Sequence, residues 1–125
     1  MDKSSLKISI ITVCFNASNT IEETIISVVK QTYKNIEYII IDGGSSDQTN
    51  NIIDKYSEFI SYYCSEPDDG IYDAMNKGLE YVTGDYVLFL GADDHLISYS
   101  VIEQVCNKIL LYEEKKVFYG VGSSL

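Results

Sequence analysis

Val87-Leu88-Phe89-Leu90-Gly91-Ala92-Asp93-Asp94 is an apolar run that stops at a glycine and then presents two adjacent carboxylates. The run is typical of a buried strand, and carboxylates on a rigid strand end suit Mg²⁺ or Mn²⁺ together with a phosphate group. The competing interpretation is that Asp93 and Asp94 only cap the following helix. The rest of the sequence is needed to choose between the two.

Strand-like and helix-like segments alternate along the chain. The predicted strands span residues 7–15, 36–41, 59–64 and 86–90, with a further strand at 117–121, and the predicted helices follow Thr20 and span 48–56, 71–82 and 98–112. Thr20 and Glu23 have the spacing of a capping box. In the helix over 71–82, the face predicted to be buried carries Ile71, Met75, Leu79 and Val82. This alternation predicts an α/β fold, with a mostly parallel central sheet and helices on both faces.

Four polar loops follow the predicted strands, at residues 16–19, 42–47, 66–69 and 93–94. In sheets of this kind ligands bind beyond the carboxyl ends of the strands. Three further polar strand ends favour a metal site at Asp93 and Asp94 over simple helix capping. The 125 residues are expected to form one domain.

The formal net charge of -10 argues against nucleic acid or an anionic membrane surface as the main partner. A bound phosphate is therefore expected to arrive with a cation. Cys14, Cys64 and Cys106 lack metal-ligand spacing and are expected to be small apolar residues in a reducing compartment. The chain has no apolar run of the roughly 20 residues that cross a bilayer, so we expect a cytoplasmic protein, peripheral at the inner face of the membrane at full length.

The remaining polar candidates each have a structural alternative. The segment 42–45 is either a turn before a helix or a site where Asp42 binds a base or ribose while Gly43 admits the ligand to the backbone. Asp73, Asn76 and Lys77 suit a solvated helix face, with a sugar or phosphate role open for Asp73. His95 is the only histidine, either a surface residue or a metal ligand. A Ser-His-Asp nucleophile is not favoured with this single histidine.

Taken together, these segments resemble the amino-terminal, nucleotide-binding part of a family 2 glycosyltransferase with the GT-A fold. The matching segments are 10–16 (IITVCFN), 27–32 (SVVKQT), 41–49 (IDGGSSDQT), 65–78 (SEPDDGIYDAMNKG) and 84–94 (GDYVLFLGADD). They run in the family's order over nearly the whole chain.

The resemblance implies metal-dependent transfer of a sugar from a nucleotide-diphosphate donor, a UDP- or GDP-sugar, to a saccharide or lipid-linked saccharide acceptor in polysaccharide assembly, with inversion at the anomeric carbon. Asp93 and Asp94 stand at the family's Asp-x-Asp-type position for Mg²⁺ or Mn²⁺, with Asp94 as the preferred direct ligand. The nucleotide-binding residues that it implies are Thr12, Phe15, Asn16, Asp42, Gly43, Asp73, Asn76 and Asp93.

Two departures from the family pattern stand out. Many members carry a second acid where this chain has Gly43, which affects the nucleoside contacts. The family's catalytic base lies in an acceptor-binding half further along the chain, so the base is expected beyond Leu125. Residues 1–125 are therefore expected to form a GT-A-type nucleotide-sugar-binding domain that is truncated before that half.

Other classes with alternating strands and helices fit less well. A dinucleotide-binding domain needs a glycine fingerprint after its first strand, where residues 16–19 stand instead. A receiver-like, metal-binding signalling domain needs its acid pair after the first strand. A nucleotidyltransferase usually has a basic, glycine-rich loop there. These two remain the alternatives.

Overall fold

The structure, a computed structural model, describes residues 6–111. Its strands are β1 (Ile8–Cys14), β2 (Ile36–Asp42), β3 (Tyr62–Ser65) and β4 (Tyr86–Phe89), and its helices are α1 (Ile21–Val29), α2 (Thr49–Asp54), α3 (Ile71–Leu79) and α4 (Val101–Leu111). The predicted alternation is confirmed over this range. The strand predicted at 117–121 lies outside the described residues.

The four strands form one parallel sheet in the order β3-β2-β1-β4. Ile8 of β1 pairs with Ile36 of β2 on one side and with Tyr86 of β4 on the other. β1 and β2 are buried along most of their length, as central parallel strands covered on both faces should be. The strand order reverses between β1 and β4, and open α/β sheets bind ligands at such a point.

The larger core lies between one face of the sheet and helices α1, α2 and α4. Side chains alternate along β1, so Ile8 and Ile10 point to this face while Ile11 points to the other. The buried helix residues that pack here are Ile21, Ile25, Val28, Ile53, Val101, Ile102, Cys106 and Ile109. Each such aliphatic side chain stabilises the fold by about 1.5–3 kcal/mol.

Helix α3 covers the opposite face, and it does so with a different side from the predicted one. Ala74 and Gly78 are its buried residues, whereas Ile71 and Leu79 are 60% and 44% exposed. A Cβ atom at Gly78 would lie 2.8 Å from Cγ2 of Ile11. The helix approaches the sheet so closely that only small residues fit beneath it, which overrides the apolar stripe.

The predicted capping box at Thr20 and Glu23 does not form. Thr20 precedes α1 without a side-chain capping bond, and its hydroxyl lies 3.5 Å from the carbonyl oxygen of Ala17. A tight turn causes this, since the amides of Thr20 and Ile21 both donate to that same carbonyl. Glu23 is left exposed beside His95.

Other element bounds also differ from expectation, and α3 ends at Leu79 instead of residue 82. The third strand begins at Tyr62 instead of residue 59, because Ser57–Phe59 forms a short 3-10 turn with Phe59 half exposed. Helix α4 begins at Val101 instead of residue 98. Hydrogen bonds from the end of α1 to the carbonyls of Ser98 and Tyr99 hold residues 98–100 as a loop.

Glu37 organises the amino-terminal edge of the sheet. Its carboxylate accepts hydrogen bonds from the Ser9 hydroxyl at 2.8 Å and from the amide and hydroxyl of Thr83 at 2.8 and 2.7 Å. The Lys7 ammonium lies 3.5 Å away. Burial alone would raise the pKa of Glu37, but these hydrogen bonds outweigh it and lower the pKa below its usual value. The cluster ties β1, β2 and the start of β4 together.

None of the helices within residues 6–111 has the length and apolar composition needed to cross a bilayer.

Candidate functional site

A cavity of about 590 Å³ opens at the carboxyl ends of β1 and β2, beside the start of α3. Its walls are formed by Val13, Cys14, Phe15, Gly43, Gly44, Pro67, Asp68, Gly70, Ile71 and Ala74. The volume suits a small-molecule ligand, whose sites typically measure roughly 300–1,000 Å³. Of the predicted site residues, Phe15 and Gly43 line this cavity, and the Phe15 ring is 63% exposed at its edge.

Hydrogen bonds join the polar loops at residues 16–19 and 42–47. The Asn16 amide donates to the Ser45 hydroxyl at 2.7 Å, and the Asn16 side-chain oxygen accepts from the Ser46 amide at 2.9 Å. Asn16 has a φ of 48°, in the left-handed region that asparagine tolerates. The Asp47 carboxylate also accepts from Thr49 and from the Ser18 amide, and these bonds lower its pKa to about 2. Asn16 therefore shapes the site by fixing the loop that follows β2.

Asp42 is the buried centre of the second loop. Its carboxylate accepts hydrogen bonds from the amides of Gly44 and Ser45 at 3.1 and 2.8 Å and from the hydroxyls of Ser45 and Ser65 at 2.5 and 2.8 Å. Burial alone would raise the pKa of Asp42, but these hydrogen bonds outweigh it and lower the pKa. Asp42 is thus an ionised residue that fixes the glycine loop. Its direct contact with a nucleoside stays a prediction.

Cys14 lies at the floor of the cavity, and its thiol points at Asp42, with Sγ 3.3 Å from Oδ1. Burial, followed by the negative charge of Asp42, raises the pKa of this thiol far above its usual range. A thiol in that environment is not a nucleophile. All three cysteines are free, with Cys14 and Cys106 buried as expected and Cys64 partly exposed.

The acidic loop after β3 forms the opposite wall, and it lies close to Gly43. A Cβ atom at Gly43 would sit 3.0 Å from Oδ2 of Asp68. The glycine that departs from the family pattern therefore leaves room for a carboxylate supplied by another loop. Asp68 is held in turn by the Gly70 amide at 3.0 Å.

Asp73 and Lys77 connect α3 to this acidic loop instead of lining the cavity. The Asp73 carboxylate accepts from the Asp69 amide at 2.9 Å, and the Lys77 ammonium lies 3.1 Å from Glu66 and 3.8 Å from Asp73. The bond with Glu66 raises the pKa of Lys77. Nucleotide contacts of Asp73, and of the exposed Asn76, stay predictions.

Thr12 lies inside the sheet, away from the cavity walls. Its side chain is fully buried, and its hydroxyl is 2.8 Å from the hydroxyl of Tyr38. Thr12 lies further from the end of β1 than Val13 and Cys14, which line the cavity, so its side chain stays in the core. A nucleotide contact of Thr12 also stays a prediction.

Asp93 and Asp94 lie just past the end of β4, next to β1. Their carboxylates fold back over the same glycine, since a Cβ atom at Gly91 would be 3.2 Å from Oδ1 of Asp93 and 3.5 Å from Oδ2 of Asp94. Neither carboxylate has a hydrogen bond or ion pair to another residue in the range 6–111. They do not cap α4, which begins only at Val101, so the capping interpretation does not hold.

The two carboxylates fit Mg²⁺ or Mn²⁺ if water and substrate phosphate supply the other ligands. Over residues 6–111 no group of three or more His, Cys, Asp or Glu side chains is arranged to hold a metal ion. Mg²⁺ typically uses one or two carboxylates and completes its shell with water and substrate phosphates. His95 faces α1, with Nδ1 3.8 Å from Glu23.

Sequence reasoning missed most of the cavity wall. Asp68 and Gly70 belong to a loop that was identified as polar and acidic, but no pattern in it indicated which acid turns inward. The apolar stripe of α3 predicts a buried Ile71, but this residue lies exposed beside the cavity. The small residues Ala74 and Gly78, one turn apart in α3, were the available signal that this helix packs through its small side chains.

The chain is thus an α/β protein whose parallel sheet carries a cavity and several acidic side chains at the carboxyl ends of its strands. The sequence pattern of Glycosyl transferase family 2 matches residues 9–118. The chain belongs to this family of glycosyltransferases, as its sequence segments indicated. The match does not favour the receiver-like or nucleotidyltransferase alternatives.

Two curated relatives illustrate the similarity. An uncharacterized glycosyltransferase of Mycobacterium tuberculosis (strain ATCC 25618 / H37Rv) is 39% identical over 98 residues, which are 78% of this chain and 37% of the relative. The Escherichia coli UDP-Glc:alpha-D-GlcNAc-diphosphoundecaprenol beta-1,3-glucosyltransferase WfaP is 38% identical over 121 residues, 93% of this chain and 45% of the relative. The chain thus spans less than half the length of each.

Solved structures support the fold. S. aureus TarS 1-349 in complex with UDP-GlcNAc superposes with a TM-score of 0.78 at 25% identity, covering 86% of this chain and 32% of that chain. Glucosyl-3-phosphoglycerate synthase from Mycobacterium tuberculosis, in complex with Mn²⁺, UDP and phosphoglyceric acid, gives 0.67 at 22% identity, covering 88% and 40%. The second likeness concerns the fold alone. The predicted GT-A fold is confirmed.

Proposed function

We propose that this chain is the sugar-donor-binding part of a glycosyltransferase, and that it binds a UDP-sugar with the help of a divalent cation at Asp93 and Asp94. One observation carries the proposal. The cavity at the ends of β1 and β2 and the convergent acid pair after β4 share one edge of the sheet, on either side of the point where the strand order reverses. A ligand with an apolar and a phosphorylated end fits such an arrangement.

The nucleoside occupies the cavity in this proposal. The exposed ring of Phe15 and the side chain of Ile71 offer apolar surface to a base, and Gly43 and Gly44 leave the backbone accessible. Asp68 supplies a carboxylate acceptor in the opposite wall. Uridine is preferred to guanosine because TarS is described with UDP-GlcNAc and WfaP is named for UDP-Glc.

The diphosphate lies toward Gly91 and the acid pair. The chain carries a formal charge of -10, and its loops at this edge are acidic, so a bare diphosphate would be repelled. Asp93 and Asp94 would hold a Mg²⁺ or Mn²⁺ ion, with Asp94 as the preferred direct ligand. Such an ion supplies positive charge that stabilises the diphosphate as a leaving group.

Acceptor binding and the catalytic base are proposed to belong to the part of the relatives that this chain does not span. The matched region is 45% of WfaP, whose name specifies a diphosphoundecaprenol-linked acceptor. A saccharide or lipid-linked saccharide acceptor is proposed here on that ground. Inversion at the anomeric carbon stays a prediction from the family resemblance.

A thermal-shift experiment tests the proposal. UDP, UDP-glucose, UDP-GlcNAc and GDP-mannose are each added with Mn²⁺ or with EDTA, because a ligand that binds only the folded state must raise stability by mass action. We expect Mn²⁺-dependent stabilisation by the UDP compounds and its loss in Asp94→Asn. The control Asp54→Asn makes the same charge change on an exposed part of α2 and should keep the effect. Equal stabilisation with EDTA, or in Asp94→Asn, would contradict the metal site.

A further inference from the structure

Helix α1 and the segment just after it present three buried polar side chains to the part of the chain that carries Asp93 and Asp94. Thr24, Ser27 and Gln31 are only 1%, 5% and 1% exposed. Thr24 and Ser27, three residues apart, lie on one side of α1, and Gln31 follows two residues after the helix ends at Val29. Buried polar side chains are costly unless they are hydrogen-bonded, so their partners indicate what they do.

Thr24 holds the backbone on both sides of Asp93. Its hydroxyl lies 3.0 Å from the carbonyl oxygen of Ala92 and also contacts the carbonyl oxygen of Asp94. A hydroxyl has one proton to donate, so these two carbonyls share it with the more distant Thr20 carbonyl, at 3.5 Å just before α1. One side chain from α1 therefore fixes the peptide groups before and after the first acid.

Ser27 and Gln31 continue this contact along the same segment. The Ser27 hydroxyl accepts from the Leu96 amide at 3.1 Å and donates to the Thr24 carbonyl at 2.7 Å. The side-chain nitrogen of Gln31, Nε2, donates to the Ser98 carbonyl at 2.7 Å. The side-chain oxygen of Gln31 accepts from the backbone amide of Ile102 at 3.0 Å. Ile102 lies in the first turn of α4, where backbone amides have no partner within the helix.

These contacts matter because Asp93 and Asp94 lack side-chain partners of their own within residues 6–111. Two adjacent carboxylates repel each other, and free loop backbone would let them separate. Their convergence over Gly91 must therefore come from the backbone, which is fixed there by the turn bond from the Asp94 amide to the Gly91 carbonyl at 3.1 Å and, from α1, by the Thr24 hydroxyl.

We propose that Thr24 is a positioning residue for the acid pair: its hydroxyl holds residues 92–94 so that the two carboxylates converge before a cation arrives, with Ser27 and Gln31 anchoring the segment that follows. This inference rests on the proposed cation site at Asp93 and Asp94. The plainer alternative is that the three side chains only stabilise the fold.

The test compares matched substitutions at the two edges of the sheet. Thr24→Val keeps the shape of the side chain and removes the hydroxyl, whereas Thr24→Ser keeps the hydroxyl. Thr83→Val is the control, because it removes a hydroxyl bonded to Glu37 at the opposite edge. The measurements are Mn²⁺ affinity at saturating UDP, by electron paramagnetic resonance, and UDP affinity in EDTA, by calorimetry.

We expect Thr24→Val to weaken Mn²⁺ binding about five- to tenfold, the effect of losing one hydrogen bond, with UDP affinity in EDTA unchanged. Thr24→Ser should restore Mn²⁺ affinity to the wild-type value, and Thr83→Val should lower stability alone. If Thr24→Val and Thr83→Val change Mn²⁺ affinity equally, the positioning role is overturned. Wild-type UDP binding that does not depend on Mn²⁺ would instead overturn the proposed function, and the positioning role with it.

A second, metal-free measurement covers the case in which Thr24→Val does not fold. Ser27→Ala and Ser9→Ala each remove a buried hydroxyl that accepts a hydrogen bond from a backbone amide. The donor is Leu96 for Ser27 and Gly84 for Ser9. Hydrogen exchange should speed up at residues 92–98 in Ser27→Ala and stay unchanged there in Ser9→Ala. Unchanged exchange at 92–98 in Ser27→Ala would contradict the anchoring of this segment.

Discussion

Among single residues, Asp42 and Gly43 account for the shape of the cavity. Asp42 is buried with its carboxylate bonded to Gly44, Ser45 and Ser65, so it fixes the loop after β2 and ties it to β3. Gly43 leaves space that Asp68 fills from the third loop. The space that a side chain at position 43 would occupy is thus filled by a carboxylate from a different segment.

The lowered pKa of Asp42 predicts how stability changes with pH. The folded-state pKa lies below the unfolded value of about 3.9, so the unfolded chain binds more protons in this range and stability falls as the pH is lowered. Asp42→Asn should be less stable at pH 7 and should show a shallower loss of stability between about pH 5 and pH 2. Urea denaturation across this range measures both. Parallel curves for the two proteins would contradict the account of Asp42.

Among the elements, α3 illustrates how packing distance outweighs an apolar pattern. The helix lies so close to β1 that Gly78 and Ala74 face the sheet. Ile71 and Leu79, on the stripe that the pattern favours, are exposed instead. Turning Ile71 outward also gives the cavity an apolar wall.

Gly78→Ala is therefore expected to destabilise the protein, although alanine is the better helix former. The propensity gain is about 1 kcal/mol, and the clash with Ile11 costs about 1–3 kcal/mol, so a net loss of about 1 kcal/mol is expected. Asn76→Ala, on the exposed side of the same helix, should change stability by less than about 0.5 kcal/mol. Chemical denaturation measures the difference, and a Gly78→Ala protein more stable than the wild type would contradict the close packing.

The sheet could be predicted from the sequence because its signals are local and redundant. The β-branched runs of β1 and β2 and the polar residues after each strand point to the same parallel architecture. The cavity walls and the bonds of Asp42 could not be predicted, since they depend on side chains brought together from three loops. The contacts of Thr24, Ser27 and Gln31 could not be predicted either, although the last two lie in a segment that resembles the family, because their partners lie about 70 residues away along the chain.

For the whole molecule, the amino-terminal and carboxyl-terminal edges of the sheet, where the parallel strands begin and end, have different roles. The amino-terminal edge is closed by a cluster of the buried Glu37 and Ser9 with the exposed Thr83, and its hydrogen bonds stabilise the fold. The carboxyl-terminal edge carries the cavity and the acid pair, whose carboxylates remain available to a ligand. Stability and ligand binding should therefore be separable by substitution.

Glu37→Gln tests this separation. The substitution removes the charge that accepts hydrogen bonds from Ser9 and Thr83, and we expect it to lower the free energy of unfolding by about 1–3 kcal/mol. UDP affinity in the presence of Mn²⁺ should stay at the wild-type value, because the cluster lies at the far edge of the sheet. Denaturation and calorimetry on the same preparation provide both numbers. A parallel loss of UDP affinity would indicate that the edges are coupled.

The most direct test of the central claim is to locate bound Mn²⁺ by its paramagnetic effect on backbone amide signals in a nuclear magnetic resonance spectrum. With saturating UDP and substoichiometric Mn²⁺, the amides of residues 91–95 should broaden first. With UDP and diamagnetic Mg²⁺, chemical-shift changes should map to Phe15, Gly43 and the other cavity walls. Broadening centred on the acidic loop at 66–69, or no Mn²⁺ effect that depends on UDP, would contradict a cation-assisted nucleotide-sugar site at Asp93 and Asp94.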